Sequence, residues 1–162
     1  MNPLKRLCVV SLALGALASS GLVEAQEAAV GSWVLDPAEY KGLPQLAPTA
    51  GTLTITDAGG GKYTSVSEAT VAGMTGRSEI TYSVDGKDYV VTVMPAQPGA
   101  PSITQSIERV SDAVYKSSLK LGGQEIATAL NEISGDGKTL TLTTTGVGQF
   151  SVLSSTMIYR RK

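Results

Sequence analysis

The chain has 162 residues, of which 42% are hydrophobic and 17% charged, with 13 basic against 14 acidic side chains, one cysteine and no histidine. That length fits a single domain with one core, and the near-neutral balance provides no electrostatic footprint for nucleic acid. Without histidine there is no Ser-His-Asp triad, Cys-His pair or histidine-rich zinc site.

The first element is a leader. Lys5 and Arg6 precede an apolar run over residues 7–17, small and polar residues follow at Ala18-Ser19-Ser20-Gly21, and Val23-Glu24-Ala25 forms an A-x-A-like cleavage site. The apolar run is too short to span a bilayer comfortably, so residues 1–25 are expected to be a cleaved signal peptide and the product to be exported, periplasmic or secreted. Cys8 lies inside the apolar run without the small residues that precede a lipid-attachment cysteine, and reads as filler. Cleavage leaves residues 26–162, about 137 residues expected to form a single domain. Losing Lys5, Arg6 and Glu24 takes the counts from 13 and 14 to 11 basic and 13 acidic residues, a net charge of −2. This part has no cysteine, so its core is expected to hold without disulfides. Tyr159-Arg160-Arg161-Lys162 is the one basic cluster and reads as a solvated tail.

After the leader, Gly31-Ser32-Trp33 opens the first of a series of short segments rich in Thr, Val, Ile, Leu, Tyr and Ser, residues that suit a pleated, half-buried surface. Turn signals recur roughly every ten residues: the glycines at 59–61, 73–76, Asp85-Gly86, the prolines over 95–101, Gly122-Gly123, Gly135-Asp136-Gly137 and Gly146-Val147-Gly148. Only Pro37-Ala38-Glu39-Tyr40 suggests a helical turn. About nine or ten strands joined by tight turns predict an all-β protein, an antiparallel up-and-down barrel of 8–10 strands, because closure removes exposed edges. A β-sandwich is the alternative.

Three hairpins test the register. In the second strand Leu53 and Ile55 alternate with Thr52, Thr54 and Thr56, a one-sided pattern. A two-residue loop at Asp85-Gly86 places Tyr82 opposite Tyr89 and Ile80 opposite Val91 on one face, with Arg77, Glu79, Thr81 and Asp88 on the other. A loop at Gly122-Gly123 places Leu119 opposite Ile126, Ser117 opposite Thr128 and Tyr115 opposite Leu130, with Lys120 against Glu125 outside as a charge pair. At the third hairpin a two-residue loop at Asp136-Gly137 pairs Ile133 with Leu140 but conflicts with an inward Leu130. A three-residue loop over residues 135–137, with Gly137 left-handed, restores Leu130 opposite Leu142 and is preferred, leaving Ile133 unexplained.

Gly31-Ser32-Trp33-Val34-Leu35-Asp36-Pro37-Ala38, Tyr82-Ser83-Val84-Asp85-Gly86-Lys87-Asp88-Tyr89 and Ile133-Ser134-Gly135-Asp136-Gly137-Lys138-Thr139-Leu140-Thr141 together resemble the bacterial exported lipocalin-like proteins, within the broader calycin group. The resemblance runs in order through nearly all of residues 26–162. It implies an antiparallel barrel closed at one end by Trp33, with Arg160 or Arg161 packed across the indole. It implies no specific ligand.

The functional expectation is a binding barrel that holds a small hydrophobic or amphipathic molecule, lined by Ile80, Tyr82, Tyr89, Val91, Tyr115, Ser117, Leu119, Ile126, Thr128 and Leu130. The same residues can equally fill a core without a ligand. No catalytic residue, metal ligand or cofactor is expected. Gly59-Gly60-Gly61-Lys62 joins two strands and lacks the helix of a phosphate loop, and Asp85 and Asp136 lie in turns without calcium-loop spacing. Glu79, Asp88, Glu125 and Glu132 fall on the solvated face, which argues against carboxylate catalysis; a barrel enzyme without His or Cys, such as an isomerase or cyclase using Tyr and Glu, is the lesser alternative. Scarce aromatics and the absence of long external loops argue against an outer-membrane barrel, so no stable membrane insertion is expected. The prolines over 95–101 read as a rigid connection, or a lid over one barrel mouth.

Overall fold

Ten strands follow one another around a closed antiparallel barrel in the computed structural model, which describes residues 27–96 and 98–162. Residues 1–25, expected to be a leader, and Cys8 within them lie outside the described residues. The strands are β1 (Gly31–Lys41), β2 (Pro48–Gly59), β3 (Lys62–Val71), β4 (Met74–Ser83), β5 (Asp85–Met94), β6 (Ile103–Ser111), β7 (Val114–Leu121), β8 (Gln124–Ile133), β9 (Thr139–Gly146) and β10 (Ser155–Arg161). Each pairs with its chain neighbours, and β1 pairs with β10 to complete the ring. Closure leaves no free edge, and excludes the sandwich. Short 3₁₀ turns occupy Glu27–Ala29, Pro44–Leu46 and Gly148–Leu153. No helix among the described residues is long and apolar enough to cross a membrane.

Because neighbouring strands run in opposite directions, alternate connections gather at opposite ends. One end holds the start of β1, the end of β10 and the β2–β3, β4–β5, β6–β7 and β8–β9 hairpins, and it contains the packed core. Trp33 is fully buried there, among Leu35, Tyr63, Tyr82, Tyr115, Ile133, Leu140 and Tyr159. The guanidinium of Arg161 lies over the indole at 4.2 Å, which selects it over Arg160. Arg160 instead meets Glu39 at 2.7 Å and Asp36 at 3.7 Å on the outside.

Several local expectations are corrected. Residues 37–40 are not a helical turn. They continue β1 through an irregularity between Asp36 and Lys41, where Asp36 Oδ1 accepts the Ala38 N–H. The β4–β5 register agrees with the expected phase, but the recorded ladder covers only Arg77–Glu79 against Thr92–Met94.

The largest correction is in β8. Lys120 opposes Glu125 as expected, but Leu119 opposes Ala127, so Ile126 has no partner and forms a β-bulge. Its carbonyl accepts the Val147 N–H at 2.9 Å, tying the bulge to the chain beyond β9. Every later β8 residue changes face: Ser117 opposes Ala129 and Tyr115 opposes Asn131, while Leu130 points outward and is 41% exposed. The third hairpin follows. Ile133 pairs with Leu140 and Asn131 with Leu142, the register set aside because of Leu130, and Ile133 is buried. Gly137 is left-handed as expected (φ 68°), in a turn closed by its N–H to the Ser134 carbonyl at 2.8 Å. Lys120 and Glu125 do not form the expected pair: Lys120 reaches Asp88 across β6 at 2.7 Å, and Glu125 accepts from Ser118.

Candidate functional site

Above the packed end, the barrel encloses a cavity of about 270 Å³. Its floor is the upper surface of the core, including Ile55, Ile80, Tyr82, Ile107, Tyr115 and Tyr159. Its walls follow the ladder. On β2, β3 and β4, Leu53, Ser67 and Ser78 stand in one row, and Ile55, Ser65 and Ile80 in the next. Across the barrel, Ser117, Ala129 and Thr144 form a row on β7, β8 and β9, beside Tyr115, Asn131 and Leu142. The hollow exists because serine and alanine occupy inward positions where leucine or phenylalanine would fill a barrel of this size.

Of the expected lining residues, Ile80, Tyr82, Val91, Tyr115, Ser117, Leu119 and Thr128 line the cavity. Tyr89 does not. It packs against the core and its hydroxyl donates to Asp85 Oδ1 at 3.1 Å. The bulge removes two more. Ile126 is buried but not in the cavity wall, and Leu130 borders an outer groove, while Thr128 pairs with Ser118 and stays in the wall. Thr128 touches both the cavity and that groove, as a wall residue between two thin alanines. The inward set also includes Ser65, Ser67, Ser78, Gln105 and Asn131. Ser65 and Ser67 could have been found from Leu53 and Ile55, their ladder partners across a three-glycine turn. Asn131 required the bulge.

No Asp, Glu, Lys or Arg lines the cavity. The charges stand outside, as in Arg77 with Glu68 at 3.2 Å and Glu79 at 3.1 Å, or Lys116 with Glu108 at 3.6 Å. Glu132 is likewise exposed. Burial pushes the phenols of Tyr115 and Tyr159 up from their ordinary value, so both stay neutral at physiological pH. Ser117 is the one buried polar residue among those described, at 5% exposure, and its hydroxyl has no hydrogen-bond partner among them. No cluster of three or more acidic or metal-binding side chains occurs among the described residues.

The two ends of the barrel differ in charge. The five connections at the end away from Trp33, residues 42–47, 72–73, 95–102, 122–123 and 147–154, contain no charged residue. They carry exposed apolar side chains at Leu46, Val147 and Val152, and Met74 beside them is 75% exposed. The turn at Gly148–Leu153 folds back onto β8 and β9, with the Gly146 N–H donating to Ser154 Oγ at 3.0 Å. At the Trp33 end, Asp85, Lys87, Asp136 and Lys138 make the hairpins polar.

The closed, ten-stranded up-and-down barrel, packed at one end and hollow above, is the calycin-type fold. Solved structures with the same fold include fatty-acid-binding protein 1 of Echinococcus granulosus, with a TM-score of 0.59 and 18% identity over 83% of this chain and 98% of that one. The Schistosoma mansoni fatty acid binding protein in complex with arachidonic acid aligns with a TM-score of 0.59 and 16% identity, covering 85% and 98%. The fluorescent protein UnaG aligns with a TM-score of 0.57 and 19% identity, covering 85% and 99%. No protein-family model matches the chain, and no curated protein matches it significantly in sequence.

Proposed function

We propose that this protein is an exported carrier that holds a small hydrophobic or amphipathic molecule inside its barrel, without catalysing a reaction. The observation that carries the reading is the cavity: about 270 Å³ of space between a fully packed floor and walls of alternating apolar and hydroxyl side chains. An apolar cavity of roughly 150 Å³ already accommodates a benzene-sized guest, and ligand sites are largely apolar with a few orienting polar groups. The fold is shared with proteins named for fatty-acid binding, one of them solved with arachidonic acid, and that supports a carrier over an enzyme. Export to the periplasm or medium rests on the leader over residues 1–25, and the resemblance of the Gly31-Ser32-Trp33 and hairpin segments to exported lipocalin-like proteins agrees with it. The charge-free end, opposite Trp33, is the natural entrance, since a ligand arriving there meets no charged connection.

The test is native mass spectrometry of protein purified without detergent, followed by denaturing extraction. A discrete small-molecule adduct lost on denaturation is the expected result. A clean apo mass, together with no uptake of the uncharged fluorescent probe N-phenyl-1-naphthylamine, would overturn the carrier reading. Appearance of the chain in its producing cell without the first 25 residues checks export separately.

A further inference from the structure

The cavity combines hydroxyl and amide groups with a complete lack of charge, and that restricts what it can accept. From this we infer that the ligand is uncharged and carries a hydroxyl or carbonyl oxygen that docks at Ser117. The inference rests on the carrier reading and deepens it.

Two observations converge. First, none of the lining residues is Asp, Glu, Lys or Arg, so a buried carboxylate or ammonium would lose its hydration without meeting a countercharge. Ion pairs such as Arg77 with Glu79 are partly exposed, are absent from the cavity lining and serve one another. Second, Ser117 is 5% exposed, sits between Ile107 on β6 and Ala129 on β8, and its hydroxyl has no partner among the described residues. A buried hydroxyl left unpaired is disfavoured, and a ligand oxygen within the cavity supplies the missing partner. Among the described residues, the titratable groups that line the cavity are Tyr82, Tyr115 and Tyr159. Burial raises the phenols of Tyr115 and Tyr159 above their ordinary value, and the Ser117 hydroxyl does not ionise, so the docking group on the protein does not titrate between pH 6 and 8. Any pH dependence in that window therefore belongs to the ligand.

The test compares decan-1-ol, methyl decanoate, decane and decanoate as competitors of N-phenyl-1-naphthylamine bound to the full mature protein. At pH 8, decan-1-ol and methyl decanoate are expected to bind at least about thirtyfold more tightly than decanoate, which must take up a proton to enter. The apparent affinity for decanoate should then rise about tenfold for each unit between pH 8 and pH 6, while that for decan-1-ol stays flat, because the acid titrates near pH 4–5. Ser117→Ala should weaken decan-1-ol about three- to tenfold and leave decane unchanged, a split that a general packing defect would not produce. A smaller preference for the alcohol over decanoate at pH 8 overturns the inference and leaves the carrier reading standing. Equal losses for decan-1-ol and decane in Ser117→Ala, or no loss in either, overturn the docking at Ser117. If the fluorescent probe itself is not taken up, it is the carrier reading that fails.

Discussion

The guanidinium of Arg161 lies 4.2 Å from the centre of the Trp33 ring and joins three separate parts of the chain. Its nitrogens donate to the carbonyls of Ala28 at 2.5 Å, Val30 at 2.8 Å and Gly137 at 2.6 Å. The indole N–H donates to the Ala29 carbonyl at 2.9 Å. One residue near the end of β10 thereby fastens the segment before β1 and the β8–β9 hairpin across the tryptophan that closes the barrel floor.

Arg161→Ala is therefore expected to destabilise the protein by about 1–3 kcal/mol, from the loss of the cation–π contact and of hydrogen bonds to three carbonyls. Arg160→Ala, which breaks exposed ion pairs with Asp36 and Glu39 and an exposed hydrogen bond to the Thr139 hydroxyl, should cost less than about 1 kcal/mol. Thermal melting compares them, and the emission of the single tryptophan should shift to the red in the first variant only. Trp33→Ala removes the plug itself and should cost about 3–5 kcal/mol.

The bulge at Ile126 makes a second expectation. Leu130→Ser is expected to change stability by less than about 1 kcal/mol, because Leu130 faces outward. Ile133→Ser, three positions later, should cost several times more, because that side chain is buried opposite Leu140. Equal effects in chemical denaturation would mean that the bulge is absent.

Ala129 lines the cavity between Ser117 and Thr144. Ala129→Phe should place a ring in the empty space, leave the melting temperature unchanged or raised, and abolish uptake of N-phenyl-1-naphthylamine. Retained uptake with a folded variant would place the ligand elsewhere.

Gly146 has a structural reason to be glycine. A Cβ there would collide with the Phe150 carbonyl, whose carbon is 2.7 Å from the position it would take. Gly146→Ala should lift the Gly148–Leu153 turn from β9 and cost about 1–3 kcal/mol, with amide exchange rising over residues 147–154. Gly76→Ala on β4, where nothing lies within 4 Å, is the control and should be close to neutral.

Stability should fall at both extremes of pH. The Ser134 hydroxyl and the Lys138 N–H hold the Asp136 carboxyl below its usual value, and the Lys87 N–H and ammonium do the same for Asp85. A carboxyl lowered by folding adds stability that is present above its unfolded value and lost as pH falls through the folded one, which places the acid limb below about pH 4. Asp136→Asn should flatten that limb in melting curves. The phenols of Tyr115 and Tyr159 are raised by burial, so their contribution is full below about pH 10 and lost as pH rises from there through their folded values.

The sequence by itself determined the turns, the strand content and the outward face of Glu79, Asp88 and Glu125, which follow from local rules: glycine where φ is positive, β-branched residues between turns, and a period of two. The β4–β5 phase was legible for the same reason, because Ile80, Tyr82, Tyr89 and Val91 agree on one parity. The place of Trp33 at a barrel end was implied by the resemblance to lipocalin-like proteins. In β8 local information conflicts, since Ile126 and Leu130 favour one parity and Ile133 the other. No regular strand can bury all three, and hairpin geometry alone does not say where the irregularity falls. The tertiary structure places it at Ile126, where the Val147 N–H, arriving from beyond β9, meets the carbonyl of the unpaired residue. That single offset turned Leu130 outward, left Thr128 in the wall between the cavity and the outer groove, and brought Ala129 and Asn131 inward. The choice of Arg161 over Arg160 was likewise tertiary: adjacent strand residues point to opposite faces, and only the pairing of Trp33 with Arg161 across β1 and β10 decides which of them meets the indole. The cavity belongs to the same class, because a hollow is made by residues distant in sequence that are all small at one height of a closed barrel.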